Sequence, residues 1–318
     1  MQSLWRGLAV GIGLASSLAG SGAAEAAYPD RPVTIIIAWA AGGATDLMAR
    51  VLQDPFAKAL GGQTIIKNAV GAAGTLGTAE AADATPDGYT ILVSPIGPIV
   101  IQPQRMKLTY GFESFAPVCK LVDSPMVLTS PPNSRFKTVK DVIDAAKPEP
   151  GKLPYGSSGP GTMPHMAMLA FAKATGTQLK HVPFKGSADV VQAMLAGTIE
   201  LFADQPNLVP QYNLTPLAVM APARLPAFKD TPTLKELGFD VQASIWNAMF
   251  APKGTPEAVL AKLEAACKTA LTDAGAVEAL AKQRQPIDFL DRKGLAAFVA
   301  DEVKRAKVLI EEAGLKPQ

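Results

Sequence analysis

The sequence predicts an α/β protein built in two units, and three observations carry that reading. Short β-branched runs alternate with segments of helical periodicity along most of the chain. Two glycine-rich turns, around Gly42 and Gly159, each follow a strand-like run and open a helix, in different halves of the sequence. The 318 residues suffice for two domains of ordinary size. Hydrophobic residues make up 48% and charged residues 18%, the balance of a packed body and not of a disordered chain. A net charge of +2 and the lack of a basic stripe with interleaved aromatics argue against a nucleic-acid partner.

Residues 1–26 read as a signal peptide. Arg6 supplies the positive n-region, Leu8 to Leu18 a short apolar h-region, and Ala24-Glu25-Ala26 a small-x-small site, with cleavage near Ala26. The run is too short and too glycine-rich for a good membrane anchor, and no later stretch is long and apolar enough to span a bilayer. The mature chain is expected to be exported and soluble.

Val33 to Ala38 is a six-residue, mostly β-branched run and reads as a buried strand. Trp39 to Asp46 forms a glycine turn, and Leu47 to Leu60 a helix stopped by Gly61-Gly62. Strand, glycine turn, helix points unpaired backbone N–H groups at an anion, with Thr45 or Asp46 as the expected cap. The turn lacks both a Walker Gly-Lys-Ser/Thr ending and a dinucleotide Gly-x-Gly-x-x-Gly pattern, and a plain βα turn is the alternative. Strands at 63–68 and 90–93 bracket a small-residue loop at 71–77 and a helix at 78–84. This alternation predicts a parallel sheet with the loops at Gly42, Gly71 and Ser94 on one rim. Extended runs at 115–121 and 126–129 follow, with the crossing between units near residue 125, and then a helix at 139–146.

The second turn, Leu153 to His165, repeats the first in another half of the chain. Ser157, Ser158 and Thr162 add hydroxyls, Thr162 is the expected cap, Pro164 falls in the first turn, and the helix continues to Thr175. His165 lies in that first turn, within reach of a bound anion; a surface or capping histidine is the alternative. Pro160 breaks a Gly-x-Ser-x-Gly esterase pattern, and two histidines in the whole chain support neither a triad nor a metal cluster. Strands at 178–184 and 198–203 flank a helix at 188–195, and Asp204 ends the second strand, as a ligand contact or an Asx turn before Pro206. Strands at 217–220 and 244–251 come last, the second returning the chain to the first unit, before helices ending at 271, 283 and 313. Cys119 falls in a strand and Cys267 in a helix; two buried free thiols are preferred over a disulfide, and neither has metal-ligand spacing.

The order Tyr28-Pro29-Asp30-Arg31-Pro32, Gly42-Gly43-Ala44-Thr45-Asp46, Pro86-Asp87-Gly88-Tyr89, Gly159-Pro160-Gly161-Thr162 with His165, His181-Val182-Pro183-Phe184-Lys185-Gly186-Ser187, Asp230-Thr231-Pro232-Thr233 and Ala251-Pro252-Lys253-Gly254 resembles the solute receptors of tripartite tricarboxylate transporters, the Bug family. The resemblance covers nearly all of the mature chain. It implies a two-lobed, type II periplasmic-binding-protein-like fold with a ligand cleft between lobes, one lobe from 27–125 and 244–318, the other from 126–243. It implies a periplasmic receptor, not an enzyme, that captures a small carboxylate, needs no cofactor or metal, acts as a monomer and delivers to inner-membrane permease subunits. Delivery to a signalling ectodomain is the first alternative; a hydrolase on this fold is the second, and the lack of a nucleophile–base pair speaks against it. Carried onto this chain, the ligand-binding positions are Trp39, Gly42, Gly43, Thr45, Asp46 and Ser94 from one lobe, and Ser157, Ser158, Thr162, His165 and Asp204 from the other. Ala40-Ala41 stand where prolines are usual, Trp39 where a smaller ring is common, and Phe184 where a tyrosine is common. With an apolar loop at 94–97, these departures point to a less polar, aromatic or branched carboxylate.

Overall fold

The computed structural model describes residues 28–312 and 315; the signal-peptide reading of 1–26 and the expected helix end at 313 lie outside them. The strands and helices, in chain order, are β1 (Val33–Ile37), α1 (Ala44–Leu60), β2 (Thr64–Asn68), α2 (Thr75–Ala82), β3 (Thr90–Pro95), α3 (Gln102–Arg105), β4 (Phe115–Pro125), β5 (Val127–Ser130), α4 (Val139–Ala146) and β6 (Pro154–Ser157). They continue as α5 (Met163–Thr175), β7 (Lys180–Pro183), α6 (Ser187–Leu195), β8 (Phe202–Asp204), α7 (Leu208–Tyr212), β9 (Thr215–Val219), β10 (Ser244–Pro252), α8 (Glu257–Thr272), α9 (Ala274–Lys282), β11 (Ile287–Leu290) and α10 (Arg292–Glu312). None of these helices is long and apolar enough to cross a membrane.

One lobe is built on a six-stranded sheet in the order β11-β4-β10-β3-β1-β2. Only β2, β1 and β3 pair in parallel, each joined by a right-sized helical crossover. The expected parallel sheet is therefore mixed: β10 runs antiparallel to both β3 and β4, and β11 antiparallel to β4. The reason is the route of the chain. β4 leaves this sheet for the other lobe while β10 returns from it, so the two strands lie side by side in opposite directions. The other lobe holds an antiparallel trio, β8-β5-β9, and a parallel pair, β6-β7, linked by a bridge between Tyr155 and Leu201.

The crossing is a short hydrogen-bonded knot. Ser244 pairs with Pro125, Met126 N–H donates to Ala243 C=O at 2.8 Å, and Met220 N–H donates to Met126 C=O at 2.8 Å. A register shift between Asn247 and Ala248 bends β10 just inside the larger sheet.

β1 shows how the pattern builds the core. Ile35 and Ile37 face one cluster with Met48, Leu52 and Phe56 of α1 and Leu263 of α8, while Ile36 faces the other with Leu92, Trp246, Phe250 and Val299. Both faces are covered, so the strand is continuously apolar and not alternating. α1 buries Met48, Leu52, Phe56 and Leu60 at i, i+4 spacing and ends on Gly61, whose left-handed φ of 76° places its N–H on Ala57 and Lys58 carbonyls. Among the segments not anticipated are a tight helical turn at 97–101 leading into α3, the short α7, and the edge strand β11. Each is too short for periodicity to register.

Cys119 and Cys267 form a disulfide, correcting the expectation of free thiols. Cys119 sits on β4 and Cys267 on α8, elements that pack together in the same cluster although 148 residues separate the two sulfurs. Sequence spacing carries no trace of that contact. Replacing both cysteines by alanine should lower unfolding stability by about 2–5 kcal/mol, read as a lower guanidinium midpoint. An unchanged midpoint would mean that the bridge restrains nothing the unfolded chain leaves free.

Candidate functional site

A narrow cavity of about 30 Å³ lies between the lobes. Trp39, Gly43, Ala44 and Thr45 reach it from the β1–α1 turn, Pro95, Ile96 and Gly97 from the end of β3, and Ile245 from β10. From the facing lobe come Ser158, Thr162, Met163 and Pro164 at the start of α5, Ser187 at the start of α6, and Asp204 and Gln205 after β8.

The β1–α1 turn is braced from behind. Gly42, at a left-handed φ of 78°, donates its N–H to Asp46 Oδ2 at 2.8 Å. The same oxygen accepts from Arg50 Nε at 2.8 Å, and Oδ1 accepts from Asn68 Nδ2 at 2.9 Å. Asp46 is thus fully engaged and does not line the cavity. Neither Thr45 nor Asp46 is the N-cap; Gly43 is, without a side-chain cap bond, and its N–H donates to Ala40 C=O at 3.2 Å. The next two amides, of Ala44 and Thr45, have no partner among the described residues, and both residues line the cavity. Trp39 Nε1–H is likewise buried and unpartnered. Its indole packs on Gly74, where a Cβ would come within 2.9 Å of the ring.

The β6–α5 turn uses several of its donors internally. Gly161 N–H donates to His165 Nδ1 at 2.9 Å, Thr162 Oγ1 donates to Gly159 C=O at 2.8 Å, and Gly159 N–H donates to Ser157 Oγ at 3.2 Å. Pro164 removes one further amide from the first turn of α5. The two helix ends, expected to act alike, differ: among the described residues α1 leaves the amides of both Ala44 and Thr45 open at the cavity, and α5, with Pro164 in its first turn, leaves that of Met163. His165 stacks on His181 with ring centroids 4.0 Å apart, and Ser157 Oγ lies 2.7 Å from His181 Nε2. Burial, His181 and Arg105 push the His165 pKa down to about 4. A neutral ring that accepts through Nδ1 holds the turn; it does not face an anion. Ser157 and His165 do not line the cavity, nor does Gly42, and Ser94 is fully buried with its hydroxyl on Pro95 C=O at 3.1 Å.

Asp204 does line it, with 4% of its surface exposed. Oδ1 accepts from Gln205 N–H at 2.8 Å and Oδ2 from the Ser187 hydroxyl, while burial raises the pKa to about 6. Beneath the cavity a buried polar chain crosses between lobes. Thr45 Oγ1 donates to Asn247 Oδ1 at 3.0 Å, Asn247 Nδ2 donates to Gln205 Oε1 at 2.8 Å, Gln285 Nε2 donates to the same oxygen at 3.3 Å, and the Ser124 hydroxyl donates to Gln285. Further contacts hold the lobes together, among them Tyr212 Oη to Gly42 C=O at 2.7 Å, Asn207 Nδ2 to Ala44 C=O at 2.8 Å, and Arg105 Nη1 to Pro160 C=O at 3.1 Å.

Of the eleven expected positions, Trp39, Gly43, Thr45, Ser158, Thr162 and Asp204 reach the cavity, and the other five brace the turns behind it. Ser187 carried a readable signal, since Lys185-Gly186-Ser187 is a third turn opening a helix. Ile245 and Met163 carried none. Phe184 packs in the cluster under α6 and away from the cavity.

Residues 48–315 match the family described as tripartite tricarboxylate transporter family receptor. The chain is 35% identical over 292 residues, 91% of its length and 89% of the relative's, to a UPF0065 protein in the gbd 5' region of Cupriavidus necator. It is similar to the periplasmic binding protein BugD (TM-score 0.85, 29% identity, 92% of this chain and 100% of that one). It is also similar to MatC of Rhodopseudomonas palustris with bound malate (TM-score 0.83, 28% identity, 89% and 100%).

Two titrations should oppose each other. His165, lowered to about 4 from an ordinary 6.5, costs stability as pH falls from 6.5 toward 4, because the unfolded chain takes a proton that the folded one refuses. His165→Asn keeps an acceptor for Gly161 and should remove up to roughly 3 kcal/mol of that acid loss. Asp204, raised to about 6, contributes stability that is present at low pH and lost as pH rises through 6. Asp204→Asn should therefore raise the melting temperature at pH 7.5, with a gain of up to roughly 3 kcal/mol that fades as pH falls toward 4. Melts of each variant from pH 4 to 8 check both; pH-independent differences would contradict them.

Proposed function

The chain belongs to the tripartite tricarboxylate transporter family of receptors, which bind solutes and are not enzymes, and from that premise we propose that it captures a small carboxylate in the interlobe cavity. The observation that carries this reading is the pair of unpartnered amides at Ala44 and Thr45 on the cavity; Trp39, whose buried indole N–H is also unpartnered, lines the same cavity. A helix N-terminus offers an anion directed donors and a favourable dipole, worth roughly 0.3–1 kcal/mol when exposed and up to about 2 when partly buried. The carboxylate sits on these amides, and Pro95, Ile96, Met163, Pro164 and Ile245 cover its hydrocarbon body. Malate in MatC, a small acid, agrees in kind.

The lobes, taken as 27–125 with 244–318 and 126–243, close as a hinge about the β4–β10 crossing. The receptor works in the periplasm after removal of residues 1–26, as a monomer, and hands its ligand to the inner-membrane permease subunits of a tripartite tricarboxylate-type transporter. Closure brings Tyr212, Asn207 and Arg105 onto carbonyls of the opposite lobe, so the closed form presents a surface that a permease can distinguish from the open one.

The test is a thermal-shift screen of residues 27–318 against mono-, di- and tricarboxylates and their amides. A ligand at 100 times its dissociation constant adds about 2.7 kcal/mol, and acids should shift the melt where their amides do not. Gly43→Glu carries the site assignment. A Cβ there would already lie 3.9 Å from Ser187 Cβ and 3.8 Å from Ala188 N of the other lobe. The added carboxylate should wedge the lobes and repel the ligand, abolishing binding in a folded protein; unchanged affinity would sink the site.

A further inference from the structure

Three of the contacts between the lobes end on a main-chain carbonyl, and the far side of each of those peptide groups tells them apart. A peptide group is planar, so its C=O and its N–H point in opposite directions. Tyr212 holds Gly42 C=O, and the N–H of that group, on Gly43, is given to Ala40 C=O at 3.2 Å. Arg105 holds Pro160 C=O, and the N–H of that group, on Gly161, is given to His165 Nδ1 at 2.9 Å. Asn207 Nδ2 holds Ala44 C=O at 2.8 Å, and the N–H of that group is the Thr45 amide. It has no partner among the described residues, and Thr45 lines the cavity. Of these three contacts, the one from Asn207 grips a peptide group whose other end is left for a ligand.

Packing alone does not account for Asn207. The residue is fully buried, and its Oδ1 finds no partner among the described residues. A buried acceptor left unpaired costs stability. Nor does Ala44 depend on the bond, since its carbonyl, on the first residue of α1, is served by the helix ladder. We infer that Asn207 is a positioning residue for carboxylate binding: from the opposite lobe it fixes and polarises the Ala44–Thr45 peptide group, so that the Thr45 N–H is a stronger donor when the lobes are closed. Hydrogen bonds in series through one peptide group strengthen one another. The effect is reciprocal, as linkage requires. An anion on the Thr45 N–H makes Ala44 C=O a better acceptor and tightens the Asn207 contact. The charge of the bound group, and not its shape alone, then favours closure. The inference rests on the receptor reading and names the route by which the carboxylate seat and the closing of the lobes feel each other.

Acetate titrated into 15N-labelled protein, residues 27–318, and followed by NMR tests this. In the unaltered protein the Thr45 amide and the Asn207 side-chain NH2 should shift together, along one binding curve. Asn207→Leu, or Asn207→Ala where the leucine is not accommodated, should move the Thr45 amide proton upfield before any acetate is added. It should also weaken acetate about three- to tenfold, the worth of one hydrogen bond. Tyr212→Phe is the control: it loses a lobe-to-lobe contact of the same kind but none that polarises an open amide, so the Thr45 signal should stay in place and acetate should weaken less. An Asn207 side chain that stays silent while Thr45 responds overturns the inference and leaves the receptor reading standing. So do Asn207 and Tyr212 variants with the same Thr45 shift and the same acetate affinity, which would reduce Asn207 to a plain latch. No response of the Ala44 and Thr45 amides in the unaltered protein overturns the inference and the carboxylate seat together.

Discussion

Everything at the cavity depends on the Asp46 carboxylate lying behind the first turn of α1 and not in front of it. With three donors on its two oxygens, from Gly42, Arg50 and Asn68, it fixes the turn at a left-handed glycine and ties it to β2. It takes up the amide that precedes the helix cap, so the amides left open at the cavity are those of Ala44 and Thr45, just after the cap. Moved to the cavity face, the same carboxylate would occupy the donors itself. A helix N-terminus in a protein is usually capped by its own chain; here the cap position is a glycine with no side chain to offer, and the anion that could have served is turned away.

The second constraint is the polar chain from Thr45 through Asn247 and Gln205 to Gln285 and Ser124. All five residues are buried, and each hydrogen bond joins neutral groups, so none carries the desolvation cost of a charge. Thr45 and Gln205 line the cavity, while Asn247 and Ser124 belong to the two strands that cross between lobes. A shift of either wall is therefore felt at the bend in β10. This couples the site to the crossing by direct contact, within one connected set of side chains.

Much of this was legible in the sequence. The β-branched run before Trp39, the paired glycines and the helical spacing after them place the principal turn and its strand correctly, and the same reading locates Ser158, Thr162 and Asp204. The distinction between lining the cavity and bracing it was not legible. Asp46 and Thr45 are neighbours in one helical turn, yet one points into the cavity and the other behind it, and only the three-dimensional partners Asn68 and Asn247 decide which. His165 looked like an anion contact because it sits at a helix start; the ring of His181, from a different strand, turns it inward. The disulfide and Ile245 escaped for the same reason, since each depends on a meeting of segments far apart in the chain.

Three of the contacts that shut the cavity share one trait: the acceptor is a main-chain carbonyl, of Gly42, Ala44 or Pro160. A carbonyl survives any change of side chain at its residue. Half of each of these three latches is thus written into the backbone, and the side chains at Gly42, Ala44 and Pro160 are free to vary without removing the acceptor. Sequence drift in such a protein can retune what is recognised while leaving the act of closing untouched, so the repertoire of ligands open to this scaffold is wider than the one that any single sequence displays.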